Sequence, residues 1–177
     1  MNHTLIIMAG PSGVGKSVMA NVIADSHDDC VIISRDKIRF SLLQEGEDYF
    51  AHEDDVVRNY YDALNSMLQT HEYVIADATH ATKKARRQLF ANVNTKNVRV
   101  VGVWIEVPLE VALKQNAARS GRARVDDEVV KRMYRYKVSP QKEEGFNEVI
   151  FISGHTDQAA SDSAPFVSNI FDKLQAI

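Results

Sequence analysis

The sequence predicts an α/β fold in which a parallel sheet is covered on both faces by helices. Three observations carry this. Residues 4–17 read T-L-I-I-M-A-G-P-S-G-V-G-K-S, a short apolar strand running into a glycine-rich loop spaced G-x-x-x-x-G-K-S. Later apolar runs are continuous instead of alternating, as strands buried on both faces are. Segments with apolar residues at helical spacing lie between them, and right-handed crossovers between parallel strands then place helices on both sides of the sheet. The strand order is left open at this level.

In chain order, the first strand delivers the loop, and Val18, Met19, Val22 and Ile23 give a first helix over residues 15–25. Residues 31–33 are a second strand, followed by the charged run Ser34-Arg35-Asp36-Lys37-Ile38-Arg39 where open α/β sheets offer ligands. Residues 44–55 hold six acids and no Lys or Arg, which reads as a solvated loop and helix start. Val56, Val57, Tyr60, Tyr61, Leu64, Met67 and Leu68 make a long amphipathic helix, its tyrosines read as core. Residues 73–76 are a third strand, ending in Asp77-Ala78-Thr79-His80 before a helix bearing Lys83, Lys84, Arg86 and Arg87, a face that either steers a polyanion or is simply solvated. A fourth strand spans 98–106, and Pro108 opens a helix reaching about Asn116. The arginine-rich break 119–124 precedes a helix from Asp126 to about Lys137, its first acids complementing the helix dipole. A fifth strand covers 149–152, residues 156–164 read as a polar loop, and Phe166, Ile170 and Leu174 mark a last amphipathic helix.

A chain of 177 residues suits one domain, and 45% hydrophobic with 25% charged residues suits a soluble protein. The net charge of −3 excludes a chain that is basic throughout, so any nucleic-acid contact needs a local patch. Cys30 is the sole cysteine, which rules out an internal disulfide or thiolate metal site and suits a reducing cytoplasm. The run at 5–9 is too short for a signal segment, and no stretch is long enough to span a membrane.

The chemistry concentrates on the glycine-rich loop. Backbone N–H groups at a helix start, reached through a tight turn, point at phosphate oxygens. Gly10, Ser12, Gly13, Val14, Gly15, Lys16, Ser17 and Val18 are the candidate nucleotide contacts, with Lys16 a point charge for the β- and γ-phosphates and Ser17 a hydroxyl for Mg²⁺. Asp77, at a strand end, can organise water around Mg²⁺ or touch an acceptor.

Taken together, residues 10–17, the Arg35-Asp36-Lys37-Ile38-Arg39 element, Asp77-Ala78-Thr79-His80 with Arg86-Arg87, and the run 116–125 with Val129, Arg132 and Met133 resemble the P-loop kinases of the phage-type polynucleotide 5′-hydroxyl kinase group. The resemblance covers nearly the whole chain. It implies a three-layer P-loop NTPase fold with five parallel strands ordered 2-3-1-4-5 and an arginine-rich lid over about 117–137. It further implies ATP and Mg²⁺ as cofactors and a nucleic-acid 5′-hydroxyl end as acceptor. By the same resemblance Asp36 is the general base, Arg39 holds the acceptor's adjacent phosphate, and Arg35, Asp77 and His80 are further acceptor contacts. Arg119 is the lid arginine that stabilises charge on the transferring group, with Arg122 and Arg124 on the nucleotide. Two positions depart from the family's pattern: it usually has Asn near His80, and often Pro where this chain has Asp126. Alternatives from the residues themselves are a kinase for a small hydroxyl compound and a nucleotide-dependent switch with ATPase activity. For Asp36 and Arg39 the bland alternative is an Asp helix cap with an intrahelical Asp–Arg pair. His80 is as readily a solvent-facing residue. Oligomeric state is not legible.

Overall fold

The structure, a computed structural model, describes residues 3–153; the polar loop and last helix expected beyond lie outside the described residues. Five parallel strands, β1 (His3–Ala9), β2 (Cys30–Ser34), β3 (Tyr73–Asp77), β4 (Val98–Glu106) and β5 (Glu148–Ser153), form one sheet in the order β2-β3-β1-β4-β5. Helices α1 (Lys16–Asp25), α2 (Arg35–Leu42), α3 (Glu53–Met67), α4 (Lys83–Asn92), α5 (Leu109–Ala117) and α6 (Asp127–Tyr136) complete the α/β fold. This is the order the resemblance implied. No helix among the described residues is long and apolar enough to cross a membrane.

The period-two geometry of β1 splits its side chains between two cores. Ile6 and Met8 pack with Met19, Ala20 and Ile23 of α1, Ala112 of α5 and Val130 of α6. Leu5 and Ile7 face the other way, against Tyr60 and Leu64 of α3 and Leu89 of α4. The continuous apolar runs thus have a direct cause, since every position of the central strand from Thr4 to Ala9 is buried. The register places Met8 and Ser34 on either side of Asp77, so the carboxyl ends of β1, β2 and β3 finish in one row.

One charged residue belongs to this scaffold. Arg86, read in the sequence as part of an exposed basic face, is fully buried. Its guanidinium binds Glu144 with Nε and Nη2, each at 2.8 Å, and donates to the carbonyls of His80 (2.9 Å), Val138 (2.8 Å) and Ser139 (3.3 Å). With all its donors used, a buried arginine is tolerated. It ties the loop after β3 to the chain leaving α6, which Val138 N–H reinforces by donating to Ala81 O at 2.8 Å.

Candidate active site

The loop between β1 and α1 is shaped by close approach. Gly10 has φ +144° and a Cβ there would meet Ile105 O at 2.5 Å; Gly13 has φ +86° and would meet Ala112 O at 2.4 Å. Only glycine fits both counts, conformation and space. Lys16 opens α1, and its buried Nζ donates to Pro11 O at 2.6 Å, so the side chain lies back across its own loop. Burial pushes the ammonium down to about 8, Asp77 and Asp36 opposing and Arg119 assisting. Ser17 Oγ donates to Asp77 Oδ2 at 2.9 Å. Burial raises the Asp77 carboxyl above the ordinary range, against the Ser17 bond and the charge of Lys16.

Ser17 and Asp77 are hard oxygen donors side by side, and no group of three or more His, Cys, Asp or Glu among the described residues could cage an ion. That donor set fits Mg²⁺, which keeps most of its waters and takes few protein ligands.

At the end of β2 the chain turns directly into α2. Ser34 caps it, its Oγ accepting from Lys37 N–H at 3.5 Å, so the Asp cap considered above is corrected to a Ser cap. Asp36 sits in the first turn, its Oδ1 accepting from the Tyr49 hydroxyl at 3.1 Å. Arg39 does not pair with Asp36. It is buried, ion-pairs with Glu53, donates to Tyr49 O at 3.0 Å, and lies 4.4 Å from the Tyr49 ring centroid and 5.4 Å from that of Phe50. Arg35 pairs with the same Glu53. Burial alone would raise the Glu53 carboxyl, but the two guanidiniums hold it below the ordinary range. The acidic stretch read as a solvated loop therefore supplies the partner of both arginines.

The third component is the segment after α5. Asn116, fully buried, donates to Val125 O at 2.6 Å and accepts from Val125 N–H at 3.1 Å, closing residues 117–124 into a buckled loop. From that loop Arg119 reaches Ser12 Oγ at 3.3 Å and Arg122 donates to Gln44 O at 2.6 Å. Met133 of α6 approaches from the same side, its sulfur accepting from Ser12 N–H at 3.4 Å.

These elements enclose one cleft of about 950 Å³, lined by Ser12, Lys16, Ser17, Val18, Arg35, Asp36, Arg39, Asp77, Arg119, Arg122 and Arg124 among others. Two sequence candidates point elsewhere. The Val14 side chain packs in the core. His80 is buried, at φ +39°, with Nδ1 donating to Met8 O at 2.9 Å and Nε2 3.5 Å from the Tyr60 hydroxyl. Burial pushes its imidazole down to about 4. Neither a cleft contact nor a solvent-facing residue, it is a neutral strut beneath the phosphate loop. Sequence reasoning missed Glu53, Tyr49 and Phe50; the one local signal was an aromatic pair set in an otherwise acidic, hydrophilic run.

A family model described as an AAA domain matches residues 5–139. A curated relative, the L-seryl-tRNA(Sec) kinase of Methanococcus maripaludis, is 29% identical over 136 residues, 73% of this chain and 51% of the relative. The chain thus spans about half the length of that protein. Among solved structures, a fungal RNA kinase superposes with a TM-score of 0.67 at 15% identity, covering 99% of this chain and 44% of that one. A sugar kinase from Janibacter sp. does so with a TM-score of 0.65 at 14% identity, covering 98% and 95%. At such identities the structural likeness speaks for the fold alone.

Proposed function

The chain belongs to the AAA domain family, and from that premise we propose that it is a kinase, an ATP- and Mg²⁺-dependent phosphotransferase acting on an alcohol hydroxyl. The observation that carries this is that Asp36 opens into the same cleft as Lys16, Ser17, Asp77 and Arg119. A carboxylate facing a phosphate loop is what a weak hydroxyl nucleophile requires. The acceptor oxygen attacks the γ-phosphorus, the bond to the bridging oxygen breaks, ADP leaves, and Asp36 takes the hydroxyl proton. Lys16 holds the β- and γ-phosphates, exchanging its bond to Pro11 O for phosphate oxygens. Ser17, with Asp77 through water, would hold Mg²⁺, which when bound neutralises charge on those phosphates. Arg119 offers its guanidinium where charge spreads in the transition state, and residues 117–137 act as the lid. The whole chain is read as one kinase domain.

For the acceptor, the first reading is a 5′-hydroxyl end of DNA or RNA, supported by the resemblance of the Arg35–Arg39 element; the curated relative, named for a seryl-tRNA, supports an alcohol acceptor without pointing to a 5′ end. A second reading, a small hydroxyl compound, is favoured by one specific observation: Arg39 already has an internal carboxylate partner. Transfer from γ-labelled ATP, measured against 5′-hydroxyl oligonucleotides and a panel of nucleosides and sugars, tests both. Label is expected on an alcohol acceptor. Hydrolysis with no labelled acceptor in the panel would replace the kinase reading with a nucleotide-dependent switch.

A further inference from the structure

We propose that Glu53 sets the acceptor class: by holding Arg35 and Arg39 it closes the acceptor end to a phosphate beside the reacting hydroxyl and leaves that end to an uncharged, hydroxylated ring compound. The inference rests on the kinase reading above and deepens its acceptor side.

Charge balance is the first ground. At this end of the cleft Arg35 and Arg39 stand against Glu53, with the charge of Asp36 also acting on Arg39, while Glu47 is held by His52 and lies near Arg122. Both arginines spend themselves on Glu53. Arg39 is only 4% exposed, its Nη1 donating to Tyr49 O at 3.0 Å and forming the ion pair with Glu53. To grip an acceptor phosphate, Arg39 would have to release Glu53, leaving a partly buried carboxylate with Arg35 alone. Exchanging one anion for another in the same fork gains little, and the expelled one bears the cost.

The second ground is what remains unmet. The Nε atoms of Arg35 and Arg39 and Oε2 of Glu53 are buried without a hydrogen-bond partner. Unmet donors beside an unmet carboxylate oxygen call for an uncharged hydroxyl, which can accept from a guanidinium Nε and donate to the carboxylate without displacing Glu53. Phe50, 63% exposed, stands edge-on to Tyr49 at 4.9 Å and gives the acceptor end an apolar wall against which the carbon face of a sugar or nucleoside ring can pack.

The test uses matched acceptors with the same reacting hydroxyl, differing only in a nearby phosphate: a nucleoside against its 3′-phosphate, and a hexose against its phosphate. The wild-type protein is expected to favour the phosphate-free member about tenfold or more in kcat/KM, the scale of one displaced ion-pair contact. Glu53→Gln should shift that ratio toward the phosphate-bearing member by about tenfold, whereas Glu53→Asp, which keeps the charge, should retain the wild-type preference. Should Glu53→Gln not fold, the wild-type ratio and its salt response still decide, since an acceptor held without an ion pair has a KM that salt scarcely moves. Wild-type preference for the phosphate-bearing member, transfer confined to oligonucleotide ends, or an unchanged ratio in folded Glu53→Gln would overturn the proposal while the kinase reading stands. Absence of transfer to every hydroxyl compound would overturn the kinase reading itself, and this proposal with it.

Discussion

The two ends of the cleft are charged differently. At the phosphate-loop end Lys16 and Arg119 have no ion-pair partner among the described residues, Asp77 and Asp36 acting on Lys16 through charge alone, which leaves a surplus of positive charge not held in ion pairs; at the acceptor end Arg35 and Arg39 are both paired with Glu53. Lys16 and Arg119 donate to neutral atoms only, the carbonyls of Pro11 and Ala123 and the hydroxyl of Ser12, all readily exchanged for phosphate oxygens. Arg39 is locked by an ion pair, a carbonyl and two aromatic rings. One end is prepared for an anion and the other has already bound one of its own.

The largest effect should come from emptying the prepared end. Lys16→Ala is expected to lower transfer by roughly 10³-fold, the upper range for losing a charge-stabilising donor. Its melting temperature should not fall, because a desolvated ammonium is removed and not a packed apolar group. A folded variant with full activity would show that the loop does not act on phosphate through Lys16.

At the other end Asp36→Asn separates chemistry from binding. It preserves shape and the bond from Tyr49 but removes the proton acceptor, so turnover should drop on the order of 10²-fold with nucleotide affinity unchanged, as measured by nucleotide titration. Equal losses in turnover and nucleotide affinity would mean that Asp36 belongs to the phosphate-loop end, and the contrast between the ends would dissolve.

The difference between the ends also explains what the sequence displayed. The phosphate loop is contiguous, its glycines, Lys16 and Ser17 set by backbone geometry over eight residues, so a pattern captures it. The strands were legible for a similar reason: burial on both faces leaves an unbroken apolar run, and the fourth strand was read with both its ends as found, 98–106. Their order was not written in any local pattern and entered only through resemblance. The acceptor end depends on contacts between α2 and a segment more than ten residues on, and no local periodicity marks Glu53 as different from Asp54 and Asp55 beside it. Arg86 and His80 were misjudged because their burial comes from partners as distant as Glu144 and Met8.

Arg119 tests the side from which the two ends are bridged. Because its contact to Ser12 is long and neutral, Arg119→Ala should leave nucleotide KM nearly unchanged while kcat falls by about 10²-fold, the signature of an interaction made chiefly in the transition state. A change confined to KM would make it a binding residue and assign the surplus charge to affinity.

The smallest effect on turnover, none at neutral pH, is expected from acidity acting on His80, which supports the prepared end from below. The imidazole is neutral in the fold, donating to Met8 O, and titrates at about 4 against 6.5 when unfolded. A depressed histidine binds its proton more readily in the unfolded chain, so its contribution is complete above pH 6.5 and is lost as pH falls toward 4. Between pH 7 and pH 5 that linkage amounts to about 2 kcal/mol. Thermal melts over this interval should show the wild-type midpoint falling more steeply than that of His80→Asn, which lacks the titrating group even if it starts lower. Parallel slopes would mean that acid reaches the fold elsewhere and that the neutral strut is not His80.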